Sequence, residues 1–137
     1  MSYSENSKKK SALVGIVIVN WNSWDLLLNC LSALKKQTFQ DFKVVIIDNG
    51  STYNLSSNLE LDNSKFTLIK NKSNLGFSAA NNQGCRLIED VKWIVCLNPD
   101  TIPEHTWLEK LIDGANINSQ YAMFGSLQVM ANDSQFL

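Results

Sequence analysis

The sequence predicts an α/β protein in which a mostly parallel sheet lies between two layers of helices. Short apolar runs recur along the chain, and segments with helical periodicity alternate with them. The runs are rich in β-branched residues, as is typical of strands buried on both faces of a parallel sheet. Strands that alternate with helices in this way are joined by right-handed crossovers, so a three-layer α/β/α arrangement is expected.

The predicted elements follow from these patterns. The apolar runs place strands at residues 13–19, 44–47, 66–69, 93–97 and, as a fifth strand, 121–129. Asn22 is expected to cap the first helix, because asparagine is a favoured capping residue. Pro103 is expected to open the last helix, because proline suits the first helical position. The polar stretch 52–65 is expected to form a short helix and a loop.

Length and composition limit the class of protein. A chain of 137 residues has room for one domain, and we expect residues 1–11 to be a disordered polar leader and residues 12–137 to form that domain. A net charge of -1 and 18% charged residues argue against nucleic acid as a partner. No stretch reaches the roughly 20 apolar residues of a transmembrane helix. The three cysteines lack the spacing of a zinc site, and disulfides are not expected.

The amino terminus also has some features of a secretory signal. Three lysines precede the apolar stretch 12–19, which is the order of charge and hydrophobicity that such signals show. The stretch is short, and Asn20, Trp21 and Asn22 follow it where small residues would suit cleavage. We therefore expect a cytoplasmic location, or a peripheral one at the inner membrane face.

Polar, turn-forming residues follow each of the first four predicted strands. Ligands of open α/β sheets bind beyond the carboxyl ends of the strands. Asn, Asp, Gly and Ser also make good turns, which is enough to explain any single cluster. Four such clusters at one sheet edge predict a binding site, and they are Asn20-Trp21-Asn22, Asp48-Asn49-Gly50-Ser51, Asn74-Leu75-Gly76-Phe77 and Asn98-Pro99-Asp100-Thr101.

Asp48 and Trp21 each allow two interpretations. Asp48 ends an apolar strand, where a carboxylate needs water or a hydrogen-bond donor. The imide N–H of uracil or thymine is such a donor, but Asp48 is equally suited to cap a following helix. Trp21 either lies flat against the same base or belongs to the core.

The segment 74–84 combines a helical apolar face with four poor helix formers, which are Gly76, Asn81, Asn82 and Gly84. Such violations of local preference concentrate at functional sites. Gly76 allows a ligand to approach the backbone, and the helix start presents free amides to an anion such as a diphosphate. The alternative is a simple loop-to-helix junction capped by Ser78.

Asp100 is the candidate metal ligand. A hard divalent cation on diphosphate oxygens needs one or two carboxylates and water. The alternative role for Asp100 is to cap the helix that Pro103 opens.

Taken together, the four clusters resemble the motifs of the family-two glycosyltransferases in their order and spacing. The resemblance covers essentially everything after the leader and is closest to the branch with bacterial rhamnosyltransferases. Each motif alone is weak, whereas the set is specific. The segments that carry it are residues 16–22, 48–52, 74–77 with Asn81, Asn82 and Gly84, and 97–101.

This resemblance implies a GT-A fold, whose Rossmann-like half binds a nucleotide-sugar together with Mg²⁺ or Mn²⁺. Residues 19–22 and Asp48 would hold the base, residues 49–51 would border the nucleotide, and the segment 74–82 would line nucleotide and sugar. Asp100 takes the metal-binding position of the family's acidic motif. Tyr53 departs from the family pattern, since many relatives have an acidic residue there. The implied nucleotide-sugar-binding residues are Val19, Asn20, Trp21, Asn22, Asp48, Asn49, Gly50, Ser51, Asn74, Gly76, Phe77, Asn81, Asn82 and Asn98.

The family's acceptor site and catalytic base lie beyond the region that ends here at Leu137. No residue matches that base, since Asp113 lies in a predicted helix and Asp133 in a polar tail. We therefore expect a donor-binding part without its acceptor half, whose uncovered sheet edge allows self-association. In the full reaction a base takes the acceptor hydroxyl's proton and the anomeric carbon inverts. The donor is dTDP- or UDP-linked, and cell-wall or polysaccharide biosynthesis is the expected setting.

Two rival classes remain. Another nucleotide enzyme on such a sheet would show G-x-G-x-x-G or G-x-x-x-x-G-K-[ST], and neither occurs. A sugar-phosphate nucleotidyltransferase would need a Gly- and Arg-rich loop where Asn20-Trp21-Asn22 stands. The non-enzymatic rival is a domain that binds nucleotide-sugar, or only a partner chain, without turnover.

Overall fold

A computed structural model describes residues 12–53 and 64–130 of the chain. The predicted leader, residues 54–63 and Asp133 lie outside these ranges. Strands and helices alternate within them, which confirms the predicted α/β class. The elements are β1 (Val14–Asn20), α1 (Trp24–Lys35), β2 (Phe42–Asp48), β3 (Phe66–Lys70), α2 (Phe77–Leu87), β4 (Trp93–Leu97) and α3 (Trp107–Ile117).

The described strands form a parallel sheet in the order β3-β2-β1-β4. The register places Asn20 of β1 opposite Asp48 of β2, and Ile18 of β1 opposite Leu97 of β4. Because every pair is parallel, all four carboxyl ends lie at the same edge of the sheet. The turns that follow β1, β2, β3 and β4 are therefore neighbours in space.

Helices cover both faces of the sheet. On one face Ile16 and Ile18 pack in a buried cluster with Leu27 of α1 and Leu108 of α3. On the other face Val17 packs with Ala80 of α2 and other buried residues. All seven residues of β1 are buried, which is why its run is apolar without alternation. Burying one such aliphatic side chain stabilises the fold by about 1.5–3 kcal/mol.

Gly84 allows α2 to approach the sheet closely. A Cβ at this position would lie 2.4 Å from Cγ1 of Val17, which is itself fully buried in β1. The poor helix former predicted at this position therefore has a packing role, and it sets the distance between α2 and the sheet.

The predicted fifth strand is wrong. Residues 121–128 form no strand, and Val129 alone takes part in an isolated bridge. The apolar side chains of this segment are largely exposed, with Met123 89% exposed. Side-chain contacts hold the segment instead, because Phe124 packs edge-on against Trp93 and the indole of Trp107 donates to Ser126 Oγ at 2.7 Å.

Two predicted helix starts are also wrong. Ser23, not Asn22, precedes the first residue of α1, and Gly76, not Ser78, precedes α2. The last helix begins at Trp107, four residues after Pro103. The reason is a tertiary contact that sequence periodicity does not reveal. The buried side chain of Gln37 accepts from the backbone amide of Leu108 at 2.9 Å and donates to the Glu104 carbonyl at 2.7 Å.

β4 is an edge strand of the described sheet. On the face that α2 covers over β1 and β2, Ile94 of β4 is 47% exposed and Cys96 is exposed. The self-association expected from the sequence stays a prediction. No helix in the described ranges is long and apolar enough to cross a membrane.

Replacement of Gly84 by alanine tests the close packing of α2. Gly84→Ala is expected to lower the free energy of unfolding by about 1–3 kcal/mol, because the added methyl group overlaps Val17. Gly114→Ala is the matched control in α3, where a Cβ meets nothing within 4 Å. That variant is expected to gain about 0.5–1 kcal/mol from helix propensity. Urea unfolding measures both, and a stabilised Gly84→Ala protein would contradict the packing described here.

Candidate functional site

An open cleft of about 280 Å³ lies at the carboxyl edge of the sheet, between the turns that follow the strands. Its walls combine apolar side chains with amides and one carboxylate. All four predicted clusters contribute to it. The lining residues are Val19, Trp21, Ser23, Leu26, Asn49, Asn74, Phe77, Asn98, Pro99 and Asp100.

Seven of the lining residues were predicted from the sequence, and three were not. Ser23, Leu26 and Pro99 are the additions. Leu26 lies in the first turn of α1 and is 48% exposed. In the sequence it is one more leucine in a leucine-rich helix, so nothing marked it as a cleft residue. The predicted residues that do not line the cleft are Asn20, Asn22, Asp48, Gly50, Ser51, Gly76, Asn81 and Asn82.

Asp48 lies behind the cleft wall in a buried polar network. The carboxylate is 5% exposed, and Asn20, opposite it in the sheet, is fully buried. Asn20 Nδ2 donates to Asp48 Oδ1 at 3.3 Å, and the Ser51 hydroxyl donates to the same oxygen. The other oxygen, Oδ2, accepts no hydrogen bond from the residues that the structure describes. No helix begins at residues 49–53, so the capping alternative for Asp48 is wrong.

Asn22 joins the turns that follow β1 and β2. Its backbone has a positive φ of 53°, a conformation that asparagine tolerates better than most residues. The backbone amide donates to Ser51 Oγ at 2.9 Å, and Asn22 Oδ1 accepts from the amide of Thr52 at 2.9 Å. The buried indole of Trp24 donates to the Tyr53 carbonyl at 2.8 Å. Both turns therefore move as one unit.

Trp21 projects from this unit into the cleft. It is 56% exposed, so the alternative that placed it in the core is wrong. Phe77, the first residue of α2, is 61% exposed and also lines the cleft. Two large aromatic surfaces are thus available to a planar ligand.

Asn49 and Gly50 hold the loop after β3 against the end of β2. Asn49 is 2% exposed, and its Oδ1 accepts from the backbone amide of Leu75 at 3.0 Å. Gly50 has a φ of 79°, and a Cβ there would lie 2.4 Å from the carbonyl carbon of Ser73. Only glycine suits both the backbone conformation and this close approach.

The amino end of α2 opens beside the cleft without a side-chain cap. Gly76 precedes the helix with a φ of 87° and donates its amide to Asn74 Oδ1 at 2.8 Å. The first amides of a helix have no partner within the helix and carry partial positive charge. Asn81 donates to the Phe77 carbonyl at 3.1 Å within the helix, and Asn82 is exposed outside the cleft lining.

Asp100 lies in the tight turn after β4 and lines the cleft as an exposed carboxylate. Thr101 Oγ1 donates to the Asn98 carbonyl at 2.7 Å and closes this turn. No group of three or more His, Cys, Asp or Glu side chains that could hold a metal occurs in the described ranges. Asp100 alone can therefore contribute one carboxylate to a cation, with the remaining ligands supplied by other molecules.

Cys30 lies beneath this turn, with its Sγ 3.9 Å from the Asn98 carbonyl and 4.0 Å from Thr101 Oγ1. The thiol is fully buried in the core beside α1. Burial, which disfavours the thiolate, raises the pKa of Cys30 to about 11, and the negative charge of Asp100 acts in the same direction.

The fold is similar to solved glycosyltransferases. The *S. aureus* TarS 1–349 structure in complex with UDP has a TM-score of 0.69 and 18% identity, covering 77% of this chain and 32% of that one. The mannosyltransferase PcManGT from Pyrobaculum calidifontis, in complex with GDP-Man and Mn2+, has a TM-score of 0.67 and 18% identity, covering 90% and 37%. These similarities confirm the GT-A class of fold.

Two relatives of known sequence agree. An uncharacterized glycosyltransferase of Haemophilus influenzae is 28% identical over 118 residues, which are 83% of this chain and 36% of the relative. Glycosyltransferase GlyG of Streptococcus pneumoniae serotype 4 is 23% identical over 104 residues, which are 74% and 34%. The chain spans about a third of the length of either relative.

The family model of glycosyl transferase family 2 matches residues 15–133. The chain therefore belongs to glycosyl transferase family 2, and the family named from its motifs is confirmed. The four clusters predicted to meet at one edge are also brought together by the fold.

The buried thiol beneath the Asp100 turn predicts a pH dependence of stability. Because the pKa of Cys30 is raised on folding, its contribution is fully present below pH 9 and is lost as the pH rises towards 11. The free energy of unfolding of the wild type is expected to fall between these values by about 2 kcal/mol more than that of Cys30→Ala. Urea unfolding at pH 8, 9, 10 and 11 measures both slopes. Identical slopes would show that Cys30 does not titrate in this range.

Proposed function

We propose that this chain is the donor-binding part of a metal-dependent, inverting glycosyltransferase and that the cleft holds a nucleotide-diphosphate sugar. The observation that carries the proposal is the meeting of three features in one cleft. An exposed indole, an exposed carboxylate and the open amino end of α2 lie at the same sheet edge. They suit a planar base, a cation and a diphosphate respectively.

The base is proposed to be uracil or thymine. Asp48 Oδ1 is already occupied by Asn20 and Ser51, whereas Oδ2 takes no hydrogen bond from the described residues. A buried carboxylate oxygen gains stability from a donor, and the imide N–H of these bases supplies one. Trp21 then offers its exposed face for stacking. UDP- and dTDP-linked donors both satisfy this arrangement.

The diphosphate is proposed to bind between the amino end of α2 and Asp100. No lysine or arginine lines the cleft, so the protein offers no side-chain cation to balance the phosphate charges. Asp100 would hold Mg²⁺ or Mn²⁺, and oxygen ligands such as its carboxylate suit both ions. When bound, the metal supplies Lewis-acid stabilisation of the leaving diphosphate. The helix amides and the Asn74 side chain orient the phosphates and exclude water on the other side.

The remaining parts of the proposal come from the motif resemblance. They include inversion at the anomeric carbon, a base outside this chain, a deoxyhexosyl donor of the rhamnose type and a role at the cytoplasmic side of polysaccharide synthesis. The TarS structures carry UDP or UDP-GlcNAc and the PcManGT structure carries GDP-Man, so neighbours with this fold bind nucleotide-sugars of more than one base. The alternative, binding without turnover, differs only in whether an added acceptor receives sugar.

Asp48→Asn tests the assignment of the base. The substitution keeps an acceptor for Asn20 and Ser51 but replaces the free oxygen with an NH₂ group. Affinity for UDP is expected to fall about tenfold or more, because a charge-assisted hydrogen bond is lost. Affinity for CDP is expected to fall less or to rise, since cytosine N3 is an acceptor. Calorimetric titration measures both, with Asp113→Asn in α3 as an isosteric control. Equal losses for UDP and CDP would contradict the assignment.

Asp100→Asn tests the metal site. Without Mn²⁺, UDP affinity is expected to match that of the wild type, since the carboxylate meets the nucleotide only through the cation. With Mn²⁺, the gain in affinity that the wild type shows is expected to disappear, because an amide is a far weaker ligand for a hard cation than a carboxylate. The same titrations with and without Mn²⁺ provide the measurement. A retained Mn²⁺-dependent gain would remove Asp100 from the site.

A further inference from the structure

Side-chain amides form a continuous hydrogen-bonded chain from helix α2 to the loop at the cleft. Asn71 and Gln83 pair reciprocally, since Asn71 Nδ2 donates to Gln83 Oε1 and Gln83 Nε2 donates to Asn71 Oδ1, both at 2.9 Å. Asn71 Nδ2 also donates to Asn49 Oδ1 at 3.1 Å, and the backbone amide of Asn71 donates to the Asp48 carbonyl at 2.8 Å. Asn71 is thus held between α2 and the end of β2.

Asn49 extends this chain into the loop. Its Oδ1 accepts from the backbone amide of Leu75, and its Nδ2 donates to Asn74 Oδ1 at 2.9 Å and to the Gly76 carbonyl at 3.4 Å. With the bond from Asn71, every donor and acceptor position of the Asn49 side chain is used. The sequence-based assignment gave Asn49 to the ligand, but its side chain has no capacity left for one. A fully satisfied buried network of this kind specifies a single arrangement.

The arrangement determines what the loop presents to the cleft. Asn74 Oδ1 accepts from Asn49 Nδ2 and from the Gly76 amide, so the orientation of this amide is set. The Nδ2 group of Asn74 donates to none of the described residues and lies in a cleft-lining side chain. Gly76 precedes the open amino end of α2. Both donors therefore depend on where Asn49 holds the loop.

We propose that Gln83 and Asn71 are positioning residues for the phosphate and sugar end of the ligand. Neither lines the cleft. Together they fix Asn49, and through it Asn74 and the amino end of α2. The inference rests on the proposed function for the identity of the ligand, whereas the hydrogen-bonded chain can be tested without any ligand.

Amide hydrogen exchange of the ligand-free protein tests the chain. Gln83→Ala removes the pair, and Gln83→Glu keeps the side-chain length but removes the donor to Asn71. In both variants the backbone amides of Leu75 and Gly76 are expected to exchange about five- to tenfold faster, as loss of one hydrogen bond implies. Arg86→Ala, which truncates an exposed side chain of the same helix, is the matched control and keeps wild-type rates. Wild-type rates in both Gln83 variants would overturn the inference and leave the proposed function standing.

Ligand titration separates positioning from general destabilisation. Gln83→Ala is expected to lower affinity for UDP with Mn²⁺ about five- to tenfold. Affinity for uridine, which lacks phosphates, is expected to stay at the wild-type value. Equal losses for both ligands would overturn the positioning role, because they would indicate a general structural effect. A wild type that binds neither ligand would overturn the proposed function, and the ligand part of this inference with it, while the exchange result would stand.

Discussion

One buried polar contact at the edge of an apolar sheet constrains the rest of the site. Parallel pairing in register places Asn20 opposite Asp48, and both side chains are buried. A carboxylate in this position requires donors, and Asn20 and Ser51 supply them on a single oxygen. Ser51 also accepts from the Asn22 amide, so this contact ties together the turns after β1 and β2. The cleft is the space that these joined turns leave open.

The cleft is built mainly by neutral side chains. Its polar wall consists of amides and one carboxylate, and its apolar wall includes two exposed aromatic rings. Some amides serve a ligand only indirectly, because Asn49 is fully occupied by the loop after β3. The division of labour between residues that hold the loop and residues that reach the cleft explains why the segment 71–84 is rich in asparagine, glutamine and glycine.

The strands, the fold class and most of the cleft could be predicted because they follow from local pattern. Burial on both faces makes β1 continuously apolar, and parallel pairing brings strand-end residues such as Asp100 to one edge. Other features depend on contacts between distant segments. Gln37 sets the start of α3 from 71 residues away, and the apolar residues of 121–128 find no strand partner. Asn71 and Gln83 were missed because only the fold pairs them, although the richness in amides was a visible signal.

The central claim is that a nucleotide diphosphate brings a cation to Asp100 in this cleft. Paramagnetic broadening by Mn²⁺, recorded on the backbone amides with and without UDP, tests it most directly. The account predicts that UDP makes the broadening strongest at Asn98, Asp100 and Phe77, while amides at the opposite sheet edge, such as Lys43, stay sharp. Broadening that is unchanged by UDP, or that centres on the acidic residues Glu89 and Asp90, would contradict it.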